Sequence, residues 1–295
     1  MQNILKQIRY LFEALAVKLA ISFFSFVGPQ KASGIGSFLA RAIGKKHKIQ
    51  NLAHKNLGLA LPNLSENDKE KILDDMWDNL GRVIGEYIHI AKATPQEMVK
   101  QYVVYDNETS ANIDFLRQNT KGGIIFSGHM GNWEIGPKFL MNEGLSVGTV
   151  YRPLNNPYVE KITAQARGVR LIAKSSQGNR QIIEAIKNGE YVLIMADQKI
   201  SDGEPVKFFH DDAFTTTAIA RIALKYNIPL IPARSIRLEN QFKFLVDVER
   251  PLAFQKSDDI NKDALQLTRA INQKLESWIT EYPAQWFWVH DRWKK

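Results

Sequence analysis

His129 and Glu134 stand five positions apart in the run Ser127-Gly128-His129-Met130-Gly131-Asn132-Trp133-Glu134, and together they could move a proton. A histidine can act as general base near neutral pH, and a carboxylate on its second ring nitrogen fixes the tautomer and stabilises the imidazolium. The spacing alone carries little weight: six histidines and 31 acids among 295 residues give about 0.6 such pairs by chance. The surroundings add more. Ile124-Ile125-Phe126 reads as a short buried strand, a glycine-containing turn follows, and a helix is predicted from about Asn132. That is where α/β proteins hold ligands. Gly128 and Gly131 flank the histidine and permit close approach of a substrate. Residues five apart on one continuous helix point about 140° away from each other. The pairing therefore requires His129 in the turn and Glu134 in the first helical turns, reaching back to the imidazole. A turn-capping histidine followed by a glutamate favoured by the helix dipole accounts for the same residues without any chemistry.

Further candidates fall at neighbouring strand ends. Tyr151-Arg152-Pro153 closes the next predicted strand, and Arg152 there could bind phosphate or carboxylate in bidentate fashion, or make an ordinary surface ion pair. Asp197-Gln198-Lys199 follows a third strand; Asp197, with Gln198 beside it, could position substrate or support Arg152, although aspartate is also a common turn residue. Phe208-Phe209 reads as an apolar lip or as core. The tail from Tyr282 to Trp293 is dense in aromatics and cations, which suits a docked segment completing the core, an interfacial anchor or a base-stacking surface. No GxSxG elbow, GxGxxG turn, Walker A loop or HExxH helix is present, so serine hydrolase, dinucleotide enzyme, P-loop NTPase and zincin lose their usual support.

The elements that must position these residues alternate from about residue 120. Strands are predicted at 124–126, 147–151, 191–195, 230–233 and 242–248, with helices near 182–186, 217–226 and 263–278. The pattern predicts an α/β fold: a mixed, largely parallel sheet flanked by helices, preceded by a helical N-terminal membrane-associating segment. Residues 1–30 form that segment and 31–295 a single domain, helical over 31–118 with an α/β core over 119–295.

Ile4, Ile8, Leu11, Phe12, Leu15 and Leu19 recur at helical spacing, and only Glu13 and Lys18 are charged between Tyr10 and Val27. A central lysine costs about 2.5–3.5 kcal/mol in a spanning helix. Lying in the interface lets Lys18 reach the headgroups instead. A buried helix and a signal peptide are the rival readings. Arg41, Lys45, Lys46 and Lys48 follow as a basic cluster suited to anionic lipid or to a solvated face. Ser65 with Asp68 marks the start of a further helix. The charge, 39 − 31 = +8, favours anionic partners, and the absence of cysteine removes disulfides, thiolate metal sites and a cysteine nucleophile.

Taken together, Gly-His-Met-Gly-Asn-Trp-Glu, Tyr-Arg-Pro at 151–153, Asp197-Gln198, Phe208-Phe209 and the tail from Gln285 to Trp293 resemble the lipid A biosynthesis (lauroyl/myristoyl) acyltransferases, in the same order and over nearly the whole chain. Related glycerolipid acyltransferases usually carry aspartate where Glu134 stands, which favours the lipid A branch. The phosphatidylinositol mannoside acyltransferases share the His-x₄-Glu pattern and leave the acceptor open. His210 departs from the family, which commonly has glycine there. The resemblance implies acyl transfer from acyl carrier protein to a hydroxyl of a phosphorylated lipid A precursor, at the cytoplasmic face of a bacterial inner membrane. His129 would be the base and Glu134 its support, with Arg152, Asp197 and Gln198 binding substrate. No metal, redox cofactor or nucleic acid is implied. Transfer to another glycolipid, water-dependent acyl release and non-catalytic lipid binding are the alternatives.

Overall fold

The computed structural model describes residues 2–200, 202–239 and 241–294. A run of helices comes first: α1 (Gln2–Val27), α2 (Pro29–Gly44), α3 (Ile49–Ala60), α4 (Glu66–Lys92) and α5 (Pro95–Tyr102), then the two-residue β1 (Val103–Val104) and α6 (Asn107–Gln118). Strands and helices then alternate: β2 (Gly123–Ser127), α7 (Ile135–Asn142), β3 (Val147–Tyr151), α8 (Pro157–Arg167), β4 (Arg170–Ala173), α9 (Ser176–Lys187) and β5 (Tyr191–Met195). After them come the strands β6 (Glu204–Phe208) and β7 (Asp211–Thr215), helix α10 (Ala218–Tyr226), strands β8 (Leu230–Arg237) and β9 (Phe244–Val248), and helix α11 (Ile260–Glu281).

The main sheet has the order β1-β9-β8-β2-β5-β3-β4; β8 and β9 are antiparallel and every other pair is parallel. The expected mixed, largely parallel sheet flanked by helices is what the chain builds. Strands β2 and β5 at its centre are apolar on both faces, as burial on both sides demands. Along β2, Ile124 and Phe126 join a core with α10, α11 and the aromatic tail, while Ile125 joins a second core with Ile135 and Phe139 of α7. The two-residue period of the strand divides the layers. The β6–β7 pair forms a separate antiparallel hairpin, and Phe208 within it belongs to the core, one of the two readings the sequence allows. Its turn places Phe209 at φ +56°, so the left-handed position falls on Phe209 and not on His210.

Helix α1 is long and apolar enough over Ile4–Val27 to cross a bilayer, and most of it is uncovered: Phe12, Leu15, Leu19, Phe23 and Phe26 all face outward. Its inner side is pinned by polar groups. Asn156 Nδ2, at the start of α8, donates to Tyr10 O at 2.9 Å and to Glu13 Oε2 at 2.8 Å. His89 Nε2 donates to Phe24 O at 2.8 Å. Glu13 remains partly exposed and is partnered on both oxygens, Oε2 by Asn156 and Oε1 by Arg9 one turn earlier at 3.3 Å, which accounts for a carboxylate inside an apolar helix. In the basic cluster, Arg41 and Lys45 pair with Asp74, so half of it is spent on α4.

Helices α2 and α4 cross with their backbones in contact, because a Cβ on Gly36 would sit 2.1 Å from Gly81 O. That crossing brings Ser33 within 2.6 Å of the buried Glu86 carboxylate. Ser65 caps α4 as expected, its Oγ accepting from Asp68 N at 3.2 Å.

Candidate active site

The C-terminal ends of β2, β3 and β5 open on a cavity of about 700 Å³. Its walls include His129, Trp133, Glu134, Tyr151, Arg152, Gln198 and His290, and its apolar side is made by Val17, Ala20, Ile21 and Phe24 of α1. Four of the five site residues expected from sequence, His129, Glu134, Arg152 and Gln198, therefore line one space, and Asp197 sits directly behind His129.

The expected His129–Glu134 contact does not form. His129 Nδ1 donates to Asp197 Oδ1 at 2.8 Å, and the His129 backbone N–H donates to Asp197 Oδ2 at 2.7 Å. Strand register is the reason. Ser127 pairs with Met195 in the parallel β2–β5 ladder, so two residues further on His129 and Asp197 are lateral neighbours at the sheet edge. Helix α7 starts at Ile135 rather than at Asn132, leaving Glu134 on a turn, where Arg167 from the last turn of α8 engages it in bidentate fashion. Arg167 Nη2 donates to Oε1 at 2.9 Å and Nε to Oε2 at 3.0 Å.

Asp197 is 2% exposed, and its Oδ2 also accepts from Trp286 Nε1 at 2.9 Å. Burial alone would raise this carboxyl; the His129 imidazole, its two N–H donors and the Trp286 indole outweigh burial and hold it well below the usual carboxylate range. Both oxygens of Asp197 are thus engaged inside the protein, by His129 and by Trp286. Because Nδ1–H is committed to the carboxylate, Nε2 of the neutral imidazole carries the lone pair.

The histidine turn is held from three directions. Asn79 Nδ2 donates to Gly131 O at 2.9 Å, Gly131 N to Gln285 O at 3.0 Å, and Ser235 Oγ to Asn132 O at 2.6 Å. Met130 also makes a strand-like bridge to Trp286, so the C-terminal aromatic segment docks against the turn and completes the core. Gly131 has φ +52°, and a Cβ there would lie 2.1 Å from Ser235 O. Gly131→Ala is therefore expected to cost more than about 1 kcal/mol in backbone strain alone, with a further loss as β8 is pushed away. A chemical denaturation curve alongside the transfer assay checks this; an unchanged midpoint would show that the turn relaxes freely.

Other cavity residues escape sequence reasoning. Tyr87 donates to Thr163 O at 2.7 Å, and burial pushes its phenol up to about 12, with Glu134 and Glu160 adding to the effect against Arg167. Lys174 follows β4 in register beside Arg152, and its N–H donates to Tyr151 O at 2.9 Å. Burial pulls the Lys174 ammonium down, and the charge of Arg152 acts the same way against Asp197. Two cations thus sit side by side at the cavity rim. Arg167 and Lys174 belong to no motif; only the strand register and the helix between β3 and β4 bring them here.

A strand-end histidine held by a buried carboxylate, opening on a cavity walled by an uncovered apolar helix, is an arrangement that fits an α/β enzyme of lipids. The family model described as "Bacterial lipid A biosynthesis acyltransferase" matches residues 2–295. The chain belongs to that family and is an acyltransferase of lipid A biosynthesis. It is similar to the "Lipid A biosynthesis lauroyltransferase" of Escherichia coli (strain K12), 25% identical over 88% of this chain and 83% of the relative. It is also similar to the "Lipid A biosynthesis myristoyltransferase" of the same organism, 23% identical over 86% and 77%. Among solved structures, it is similar to the 1-acyl-sn-glycerophosphate (LPA) acyltransferase, PlsC, from Thermotoga maritima, with a TM-score of 0.36, 14% identity, and coverage of 91% and 98%.

Proposed function

We propose that the chain moves a fatty acyl group from the thioester of an acyl carrier protein to a hydroxyl of a phosphorylated lipid A precursor. The work is done by one domain over residues 31–295, at the cytoplasmic face of a bacterial inner membrane, with α1 lying against the bilayer. The observation that carries this reading is the His129–Asp197 pair, whose Nε2 bonds no described residue and whose histidine lines a cavity that α1 walls on its apolar side.

In this reading, Nε2 of His129 takes the proton as the acceptor hydroxyl attacks the thioester carbonyl directly, and no acyl-enzyme forms. Asp197 holds the tautomer and balances the imidazolium. Glu134, clamped by Arg167, keeps lone pairs free to accept from an acceptor hydroxyl, so it supports the reaction through substrate and not through the Nδ1 of His129. Arg152 and Lys174 bind phosphate of the acceptor or of the donor's prosthetic group, with Gln198 as a neutral contact beside them. The +8 charge suits both an acidic carrier protein and a phosphorylated lipid.

The test is transfer of labelled acyl groups from acyl carrier protein to a phosphorylated lipid A precursor. His129→Ala is expected to lose about 10²–10⁴-fold in rate. Wild type that binds the lipid yet consumes no donor would point to a lipid-binding protein. Acyl release without acceptor would point to a hydrolase.

A further inference from the structure

Direct attack on a thioester places negative charge on the carbonyl oxygen, and that charge needs a hydrogen-bond donor already in place. His129 cannot supply it, since its Nε2 is receiving the proton. A second histidine lines the same cavity: His290, in the aromatic tail. Its Nε2 accepts the Lys199 backbone N–H at 2.8 Å. An imidazole that accepts at Nε2 carries its proton on Nδ1 when neutral. Nδ1 bonds no described residue. His290 thus carries an Nδ1–H with no partner among the described residues, on a side chain that lines the same cavity as His129.

Its position is fixed on both sides. Asn56 Nδ2 donates to the His290 carbonyl at 2.7 Å, and Arg292 N donates to the same oxygen at 2.8 Å. Lys199 stands two residues beyond Asp197, so the loop that orients His129 also orients His290. Burial keeps this imidazole below its ordinary pKa; Arg292 and His129 push the same way, against Asp197 and Asp291. A neutral ring is what a fixed, single-proton donor requires.

We propose that His290 is a catalytic residue whose Nδ1–H stabilises the oxyanion of the tetrahedral intermediate, a role that rests on the acyl-transfer reading above. The acceptor oxygen bonds to the carbonyl carbon and its proton passes to His129 Nε2. The carbonyl π pair moves onto oxygen and is held by His290 Nδ1–H. Collapse reforms the C=O bond and breaks the C–S bond, and the leaving thiolate takes the proton back from the His129 imidazolium.

His290→Ala and His290→Asn are compared with wild type, using labelled acyl-acyl carrier protein as donor and the phosphorylated lipid precursor as acceptor. His290→Ala is expected to lower kcat by about 10²–10³-fold with donor KM little changed. The asparagine amide places an N–H where Nδ1 stood, so His290→Asn is expected to recover at least about tenfold of that loss. A tetrahedral phosphonate analogue of the donor should bind His290→Ala more weakly than wild type, while a thioether ground-state analogue binds both equally. A variant whose kcat stays within about threefold of wild type overturns the proposal. So does an equal loss in both variants accompanied by a fall in melting temperature, which marks a structural role. Wild type that transfers nothing overturns the acyl-transfer reading, and this inference with it.

Discussion

Asp197→Asn is expected to lower kcat by about 10³–10⁴-fold while the fold survives. The reason lies in how the two oxygens are used. Oδ2 accepts from both the His129 backbone N–H and the Trp286 indole, and Oδ1 accepts from the imidazole. An asparagine has one acceptor to offer, and two donors compete for it at the Oδ2 position. The oxygen therefore stays there and the NH₂ faces the imidazole. Nδ1 must then accept, the proton moves to Nε2, and the Nε2 lone pair that the proposed mechanism uses is lost. Single-turnover transfer at saturating donor measures the effect; a variant retaining more than about a tenth of wild-type turnover would show that the carboxylate does not set the tautomer.

The same carboxylate gives the experiment a control in stability. Its folded-state pKa lies below the unfolded value of about 3.9, so its contribution is full above that value and is lost as pH falls toward the folded one. Asparagine does not titrate. The difference between wild-type and variant denaturation midpoints should be widest near neutrality and shrink on acidification below about pH 4.

How much of this could be read from the chain differs from one feature to the next. The strand at 191–195 is legible because Tyr191 to Met195 is a short apolar run ended by Asp197, and its buried parallel position follows. The strand at 147–151 is legible in the same way. The cavity's polar rim is partly legible, because His129, Arg152 and Gln198 all follow strands. The identity of the histidine's partner is not. Glu134 is close in sequence, whereas Asp197 is 68 residues away and becomes a neighbour only through the β2–β5 register. Arg167 is hidden for a different reason. Helix α8 has no fully buried residue and so no apolar stripe to announce it. The β6–β7 hairpin contains Pro205 in its first strand, which weakens any strand reading of Glu204–Phe208. His290 is visible as a residue type, but only the Lys199 backbone contact distinguishes its two nitrogens.

The support beneath the site was equally silent, because Glu86 and Arg237 are residue types that normally face water. Glu86 is 0% exposed and Arg237 4%, and the two are joined in bidentate fashion at 2.5 and 2.8 Å. The pair is wired into the histidine turn. Asn132 Nδ2 donates to Glu86 Oε2 at 2.8 Å, and Arg237 Nε donates at 2.9 Å to Oδ1 of Asn79, whose own amide holds Gly131 O. Ser33 ties the same carboxylate to α2, so the N-terminal helices and the histidine turn share one buried charge.

Glu86→Ala strands the Arg237 guanidinium in the core with the Asn132 amide unpaired. Breaking one side of a buried pair typically costs about 3–5 kcal/mol, against a total stability of about 5–15 kcal/mol for a domain. The variant is therefore expected to unfold at markedly lower denaturant, or to fail to accumulate. Glu86→Leu combined with Arg237→Met removes both charges and should recover much of that stability, since an apolar replacement spares the desolvation of two ions. It should not recover activity, because Asn132 and Asn79 lose the partners that hold the turn under His129. Denaturation midpoints and transfer rates for the single and double variants separate the two effects. A double variant as unstable as Glu86→Ala would mean that shape, not charge, dominates this site. A double variant with full activity would mean that the turn is held without the pair.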